Sequence, residues 1–421
     1  MLHTVKRRFY FVLAAYFGFW ARMVLRRWKP RIVVITGSTG KTTLLHMVEA
    51  QLGEKAIYSH HANSAIGVPF HILGLPPNVT AKTQWLSQLV KAPFKAWRKP
   101  PSTKLYVVEA DCDRPNEGKF LSKLLKPEVT LWISVFNTHA MNFDRLVPKQ
   151  FATQQEAIAH EFGYFAEATQ KLVLANGDQP ALRDQLERSK AKIIEISDRA
   201  VQHYTIEGTE TVYTIHGQQL HLAGLHPKEL GVSLQMVNGL LDYLEAPLDP
   251  SYKNFVLPPG RSSVFKGKKN LTLVDSTYNT GFGAMTALLD LFGKYANPHK
   301  WLVIGDILEL GKLEKTEHEQ LAKKLSQLTV DRIILLGPRT HKYTLPLLKD
   351  LKIPVVSFDS PKEVLDYLNT NLKGGEALLF KGGRFLEGVI EQMLQNPSDN
   401  RHLVRRETAW VKRRQKWGLP R

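Results

Sequence analysis

The 421-residue chain has one cysteine, Cys112. That excludes an internal disulfide framework and a cysteine-rich metal site, and it fits a reducing, cytoplasmic compartment. Acidic residues are also scarce, with 39 Asp and Glu against 57 Lys and Arg, for a net charge of +18. Such an excess points to anionic partners: nucleotides, phosphorylated precursors, membrane surfaces or nucleic acid. No basic-aromatic motif of known nucleic-acid-reading geometry is present, so no nucleic-acid partner is expected. Internal repeats and low-complexity tracts are lacking. Long apolar runs are lacking too. The run 9–21, after Lys6-Arg7-Arg8, holds 13 residues before Arg22 interrupts it, short of the ~20 that span a bilayer. No small-residue cleavage site follows, so a secretory signal is not expected.

What is present supports a folded, globular chain. Hydrophobic residues make up 43% and charged residues 23%, enough to bury a core. Short, apolar, β-rich runs at 31–35, 105–109, 129–135 and 171–175 alternate with helical spacing, as at 154–169. That pattern predicts a parallel α/β sheet. Residues 204–222 read differently, as small antiparallel hairpins decorating that sheet. Pro258-Pro259-Gly260 marks a junction, after which strand candidates recur at 271–274, 300–304, 332–336, 355–358 and 377–380. The expected organisation is an N-terminal helix over 1–30, a nucleotide domain over 31–257, a second α/β domain over 258–397 and a basic tail over 398–421. The N-terminal helix has two readings, one lying in a membrane interface and one packed on the protein body. The tail, where Arg401, Arg405, Arg406, Lys412, Arg413, Arg414 and Lys416 surround Trp410 and Trp417, is read either as touching anionic lipid or as solvated.

The sharpest local signal is Ile35-Thr36-Gly37-Ser38-Thr39-Gly40-Lys41-Thr42-Thr43, between a strand and a helix. Gly37 and Gly40 supply a turn that aims backbone N–H groups at phosphate, Lys41 reaches the β- and γ-phosphates, and the Thr42 hydroxyl suits Mg²⁺. Glu109 ends an apolar strand, where α/β sheets place ligand groups, and is a hard oxygen donor.

The loop resembles the ATP site of the Mur ligase superfamily, and further pieces follow in order over nearly the whole chain. They are Asn63-Ser64-Ala65-Ile66-Gly67-Val68-Pro69, Val107-Val108-Glu109, Asn176-Gly177-Asp178, Pro259-Gly260-Arg261, Asp275-Ser276-Thr277-Tyr278-Asn279, Gly305-Asp306-Ile307-Leu308-Glu309-Leu310-Gly311 and Lys381-Gly382-Gly383-Arg384. Within the superfamily they are most similar to the D-alanyl-D-alanine-adding branch. The resemblance implies a P-loop central domain with a mainly parallel sheet plus a Rossmann-like C-terminal domain. It implies ATP and Mg²⁺ as cofactors, an acyl-phosphate intermediate, a precursor carboxylate and an amine or dipeptide as substrates, and a monomer. It assigns Glu109 and His139, with Thr42, to metal. Arg261, Asp275, Tyr278 and Asn279 go to the nucleotide, beside residues 36–43. Lys41, His139 and Arg261 go to catalysis, and Asp306, Glu309, Lys381 and Arg384 to the incoming substrate.

The chain departs from the family pattern at several positions. The UDP-sugar-binding domain expected ahead of the loop is missing from this sequence. His160, with Glu161 beside it, stands where a carbamylated lysine is usual, leaving open whether one or two Mg²⁺ bind and giving His160 a candidate substrate or metal role. Ser134 replaces an asparagine, Gly281-Phe282 an Asn-Pro, and Leu234-Gln235 a His-Asn pair. The leading reading is a cell-wall precursor ligase, cytoplasmic and peripheral to the inner leaflet of the plasma membrane. The others are an amide ligase for a different polymer, and a nucleotide-binding scaffold that has lost catalysis.

Overall fold

In a computed structural model the chain forms two compact units. The structure describes residues 2–77, 82–208, 210–278, 281–383 and 385–419; the expected site residues Asn279 and Arg384 lie outside the described residues. The first unit comprises 1–135, 142–198 and 232–255, and the second 136–141, 199–231 and 256–421.

The first unit is built on β1 (Arg31–Thr36), β2 (Ala56–Tyr58), β3 (Leu105–Ala110), β4 (Val129–Trp132), β5 (Leu172–Asn176) and β6 (Lys192–Ile196), ordered β2-β3-β1-β4-β5-β6 and parallel throughout. Its helices are α1 (Leu2–Trp28), α2 (Lys41–Leu52), α3 (Gly67–Leu73), α4 (Lys82–Ala96), α5 (Glu117–Leu125), α6 (Gln154–Ala168) and α7 (Pro180–Leu186). β1 is central and apolar from Ile32 to Ile35, and every residue of it after Arg31 is buried. That is why it reads as a continuous hydrophobic run rather than an alternating one. The sequence pattern missed β2 and β6. β2 has three residues, and β6 is a largely exposed edge, so neither carries a strong periodic signal.

α1 is a 27-residue helix, and its stretch Phe9–Trp28 is long and apolar enough to cross a membrane by length and composition. The helix continues through Arg22, so it is longer than the uninterrupted apolar run. It also packs on the body. Ala14, Phe17, Ala21, Val24, Leu25 and Trp28 are buried, on one face by their i, i+3, i+4, i+7 spacing. The Phe17 ring meets Phe70 of α3 edge-on at 4.6 Å, and Trp28 Nε1 donates to the Thr103 carbonyl at 2.8 Å. Near its start, the Tyr10 hydroxyl donates to Glu117 Oε1 at 2.7 Å, an oxygen that also accepts the Ala65 N–H.

Strands β7 (Val201–Glu207), β8 (Glu210–Ile215) and β9 (Gln218–Ala223) form a separate antiparallel sheet. They do not decorate the parallel sheet as expected. Ile206 and the following Leu225 pack into the second unit's core instead. The chain returns to the first unit in α8 (Leu230–Leu244). The second unit then adds β10 (Ser263–Lys266), β11 (Thr272–Ser276), α9 (Phe282–Lys294), β12 (Lys300–Gly305), α10 (Glu314–Leu325), β13 (Arg332–Leu336), β14 (Val355–Phe358), α11 (Pro361–Asn371), β15 (Ala377–Lys381), α12 (Leu386–Met393) and α13 (Thr408–Gln415). Its sheet runs β10-β11-β15-β12-β13-β14, antiparallel only at β10. The basic tail is folded onto this unit. Leu403 and Leu419 join its core, and Arg414 is buried against Glu391 at 3.0 Å.

Glu117 provides a test of how α1 is held. Burial, reinforced by the charge of Asp113, pushes its carboxyl up to about 7 from the usual 4.5. Because the folded value lies above the unfolded one, ionised Glu117 costs stability above pH 7, and the cost disappears as pH falls toward 4.5. Glu117→Gln is therefore expected to gain stability relative to wild type between pH 5 and pH 8, by up to about 3 kcal/mol in urea unfolding. A difference that stays flat across that range contradicts the assignment.

Candidate active site

The loop leaves β1 where both of its neighbours end. Thr36 Oγ1 donates to the Ala110 carbonyl at the end of β3 at 2.9 Å, and the Ser38 N–H donates to the Ser134 carbonyl after β4 at 2.9 Å. Ser134 does more than replace an asparagine. Its Oγ accepts the Thr39 N–H at 2.9 Å and donates to the Thr39 carbonyl at 2.8 Å. Gly37 has φ +130° and Gly40 φ +87°, and a Cβ on Gly37 would sit 2.7 Å from the Ser134 carbonyl oxygen. The turn therefore needs glycine for backbone sign and for clearance. Lys41 opens α2, with Thr42 and Thr43 half-buried in its first turn.

Lys41 is buried. Its Nζ donates to the Gly37 carbonyl at 2.6 Å and pairs with Asp111 Oδ2 at 2.7 Å. Burial alone would depress the ammonium, but the charges of Asp111, Glu109 and Asp113 outweigh it and hold Lys41 above its ordinary value. Sequence reasoning missed Asp111; the alternation Glu109, Asp111, Asp113 just past a buried strand was the available signal. Glu109 itself is buried at the end of β3. It accepts from Asn63 Nδ2 at 3.3 Å, and its N–H donates to Ser59 Oγ at 2.8 Å.

His160 is not with these groups. It lies on α6, its ring nitrogens 3.3 Å from the Tyr164 hydroxyl and from Arg188 Nη1, and that guanidinium also binds the His160 carbonyl at 2.8 Å. Burial and the Arg188 charge lower its basicity. A cation against the ring disfavours a metal ion bound to it. Glu161 accepts the N–H groups of Asn116 and Gly118, at 2.7 and 3.2 Å, at the start of α5.

In the second unit, His139 has φ +53° and its Nδ1 pairs with the Glu309 carboxylate. That hydrogen bond holds Glu309 below the usual carboxylate range. Asn137 Nδ2 donates to Glu317 at 2.7 Å, and this pairing anchors the same short loop. Arg261 lies over the Tyr278 ring, 3.9 Å from its centroid, and Tyr278 is exposed. Asp275, expected to bind ribose, is fully buried. Its Oδ1 accepts the Thr277 N–H and hydroxyl at 2.9 and 2.7 Å and so shapes the following turn. Lys381 is also buried, and burial brings its ammonium down to about 8, opposed by Asp275 and aided by Arg261. Asp306 is held within the protein. It is fully buried and accepts the N–H groups of Arg339 and Thr340 at 3.1 and 3.0 Å. Arg405, read only as tail, binds the Thr277 and Tyr278 carbonyls at 3.2 and 3.3 Å and Glu387 at 3.3 Å. No local pattern marked it, because the two carbonyls it binds lie more than a hundred residues away.

A phosphate-binding loop on a parallel sheet, with a buried lysine and strand-end carboxylates, followed by a second α/β unit, defines the class of P-loop nucleotide-binding proteins. The chain belongs to the Mur ligase superfamily. Residues 35–238 match the Mur ligase middle domain, and residues 260–384 match the Mur ligase glutamate ligase domain. It is an ATP-dependent ligase. It is 22% identical over 404 residues to the UDP-N-acetylmuramoyl-tripeptide–D-alanyl-D-alanine ligase of Bacillus subtilis, covering 90% of this chain and 79% of that one. It is 26% identical to the ligase of the same name from Synechocystis, covering 88% and 77%. The fold is similar to that of the MurF ligase from Thermotoga maritima in complex with ADP. The TM-score is 0.73 at 20% identity, covering 90% of this chain and 82% of that one.

The loop's close fit predicts that Gly37→Ala lowers ADP affinity at least about tenfold in calorimetry, since backbone N–H groups carry phosphate binding. Unchanged affinity would remove this loop from the nucleotide site.

Proposed function

We propose that the enzyme uses Mg²⁺-ATP to activate a peptide carboxylate on a cell-wall precursor and joins it to an amine of the D-alanyl-D-alanine type. The supporting observation is Lys41, held charged by Asp111 at the mouth of the phosphate loop. A carboxylate oxygen takes the γ-phosphoryl group, forming an acyl phosphate and ADP. The amine then attacks the acyl carbon, phosphate leaves with the C–O bond electrons, and the ammonium proton is lost as the amide forms. Lys41 stabilises charge on the transferring group, and the loop's N–H groups orient it. Thr42 and Glu109 are hard oxygen donors suited to Mg²⁺, which supplies charge neutralisation when bound. With His160 and Glu161 engaged elsewhere, we assign one Mg²⁺. Arg261 and Tyr278 contribute to nucleotide binding. Lys381 contributes charge beside them, His139 serves as a metal and catalytic residue, and Glu309, paired with it, orients substrate. The names of the relatives support the choice of substrates. The enzyme acts as a monomer in the cytoplasm, peripheral to the inner leaflet.

The test is ADP and phosphate release with Mg²⁺-ATP, crossing acid acceptors, among them a UDP-muramyl tripeptide and a polyglutamate, with amines including D-alanyl-D-alanine. Turnover requiring both substrates and giving ADP and amide in equal amounts is expected, with Lys41→Ala reducing kcat at least about 100-fold. Amide formation only with polyglutamate would move the enzyme outside the cell wall. ATP hydrolysis indifferent to acid and amine would end the ligase reading for these substrates.

A further inference from the structure

We propose that α1 and α4 together form one docking face for an anionic lipid bilayer, with both helices lying along the surface rather than crossing it. The inference deepens the peripheral location proposed above and does not depend on the ligation chemistry.

α4 carries the clearest signal. Its inner side is Gln88, Ala92 and Ala96, all buried, while Leu86, Val90, Phe94 and the following Trp97 are 66, 60, 73 and 64% exposed. The spacing 86, 90, 94, 97 puts them on one stripe of the helix. α1 presents Phe9, Val12 and Phe19, 63, 64 and 54% exposed, away from its buried face. The two helices are joined side by side. The Tyr16 hydroxyl donates to the Leu89 carbonyl and Arg27 Nη1 to the Ala96 carbonyl, each at 2.7 Å, and the Arg27 guanidinium lies 5.6 Å from the Trp97 ring centroid.

Charge selects the occupant. Arg22, Arg26, Arg27, Lys29, Lys91, Arg98 and Lys99 are exposed around these stripes. No Asp or Glu occurs in 1–48 or in 55–108, so the face carries no acidic residue of its own. Large apolar and aromatic side chains ringed by Arg and Lys match a headgroup-level anchor on anionic lipid. A spanning arrangement would require α1 to leave Phe70, Thr103 and Glu117, which hold its other face.

The full-length protein is tested by flotation with vesicles of phosphatidylcholine alone or mixed with phosphatidylglycerol. Wild type should float with the mixed vesicles, float poorly with phosphatidylcholine, and be released by salt. The variant Leu86→Gln/Val90→Gln/Phe94→Gln should lose at least tenfold in vesicle affinity while keeping the wild-type circular dichroism and Tm. Its ligation rate in the absence of lipid should also be unchanged, which separates failure of docking from failure of the proposed reaction. Arg98→Glu/Lys99→Glu should reduce binding to the anionic vesicles only. Three results overturn the proposal: no flotation of wild type, flotation of the triple variant equal to wild type, or resistance of the native membrane-bound protein to carbonate extraction, which means that α1 spans. A wild-type dimer that the triple variant abolishes would assign the face to a second copy and equally overturn it.

Discussion

The phosphate loop depends on the parallel register of three strands. β1 lies between β3 and β4, with Ile35 opposite Glu109 and Thr36 opposite both Ala110 and Trp132. All three chains therefore leave the sheet at one level. The loop is held on one side by the Ala110 carbonyl and on the other by Ser134. Glu109 and Asp111 arrive beside Lys41 for the same reason. A one-residue slip in β3 would turn Glu109 to the other face.

Electrostatic balance in the second unit rests on a similar economy of buried charge. Asp275, Lys381 and Arg261 interact, and Arg405 reaches back from near the C-terminus to two carbonyls of the turn carrying Tyr278. Buried ions of this kind are tolerated only when paired or hydrogen-bonded, and Asp275 is hydrogen-bonded through Oδ1 to Thr277. The residues beyond 398 are therefore part of how this turn is built, and a reading of them as a solvated tail misses Arg405, Arg406 and Arg414, which pair with Glu387 and Glu391.

The N-terminal helix has two faces with different surroundings. Its inner face is anchored by aromatic packing on Phe70 and by the Tyr10–Glu117 hydrogen bond. Its outer face is left apolar and free of acidic residues beside α4. The alternatives of an interface helix and a packed helix are thus not exclusive, because a helix has two sides and this one carries large apolar side chains on both, with Arg22, Arg26 and Arg27 exposed beside the outer ones.

Much of this was legible in the residues alone. The strand–loop–helix at residues 31–52, most of the strands of both parallel sheets, and the order of motifs from Thr36 to Lys381 follow from local periodicity and from chemistry that needs particular side chains at fixed spacing. Tertiary structure alone decided the rest. It buried Asp275 and Asp306 in turns, seated Arg188 against His160, assigned β7, β8 and β9 to the second unit, and brought Asp111 to Lys41 and Arg405 to Tyr278. Each of these is a contact between residues distant in sequence, or a matter of which face a side chain is given. Neither leaves a periodic trace along the chain, because burial and charge pairing are set by the neighbours that folding supplies.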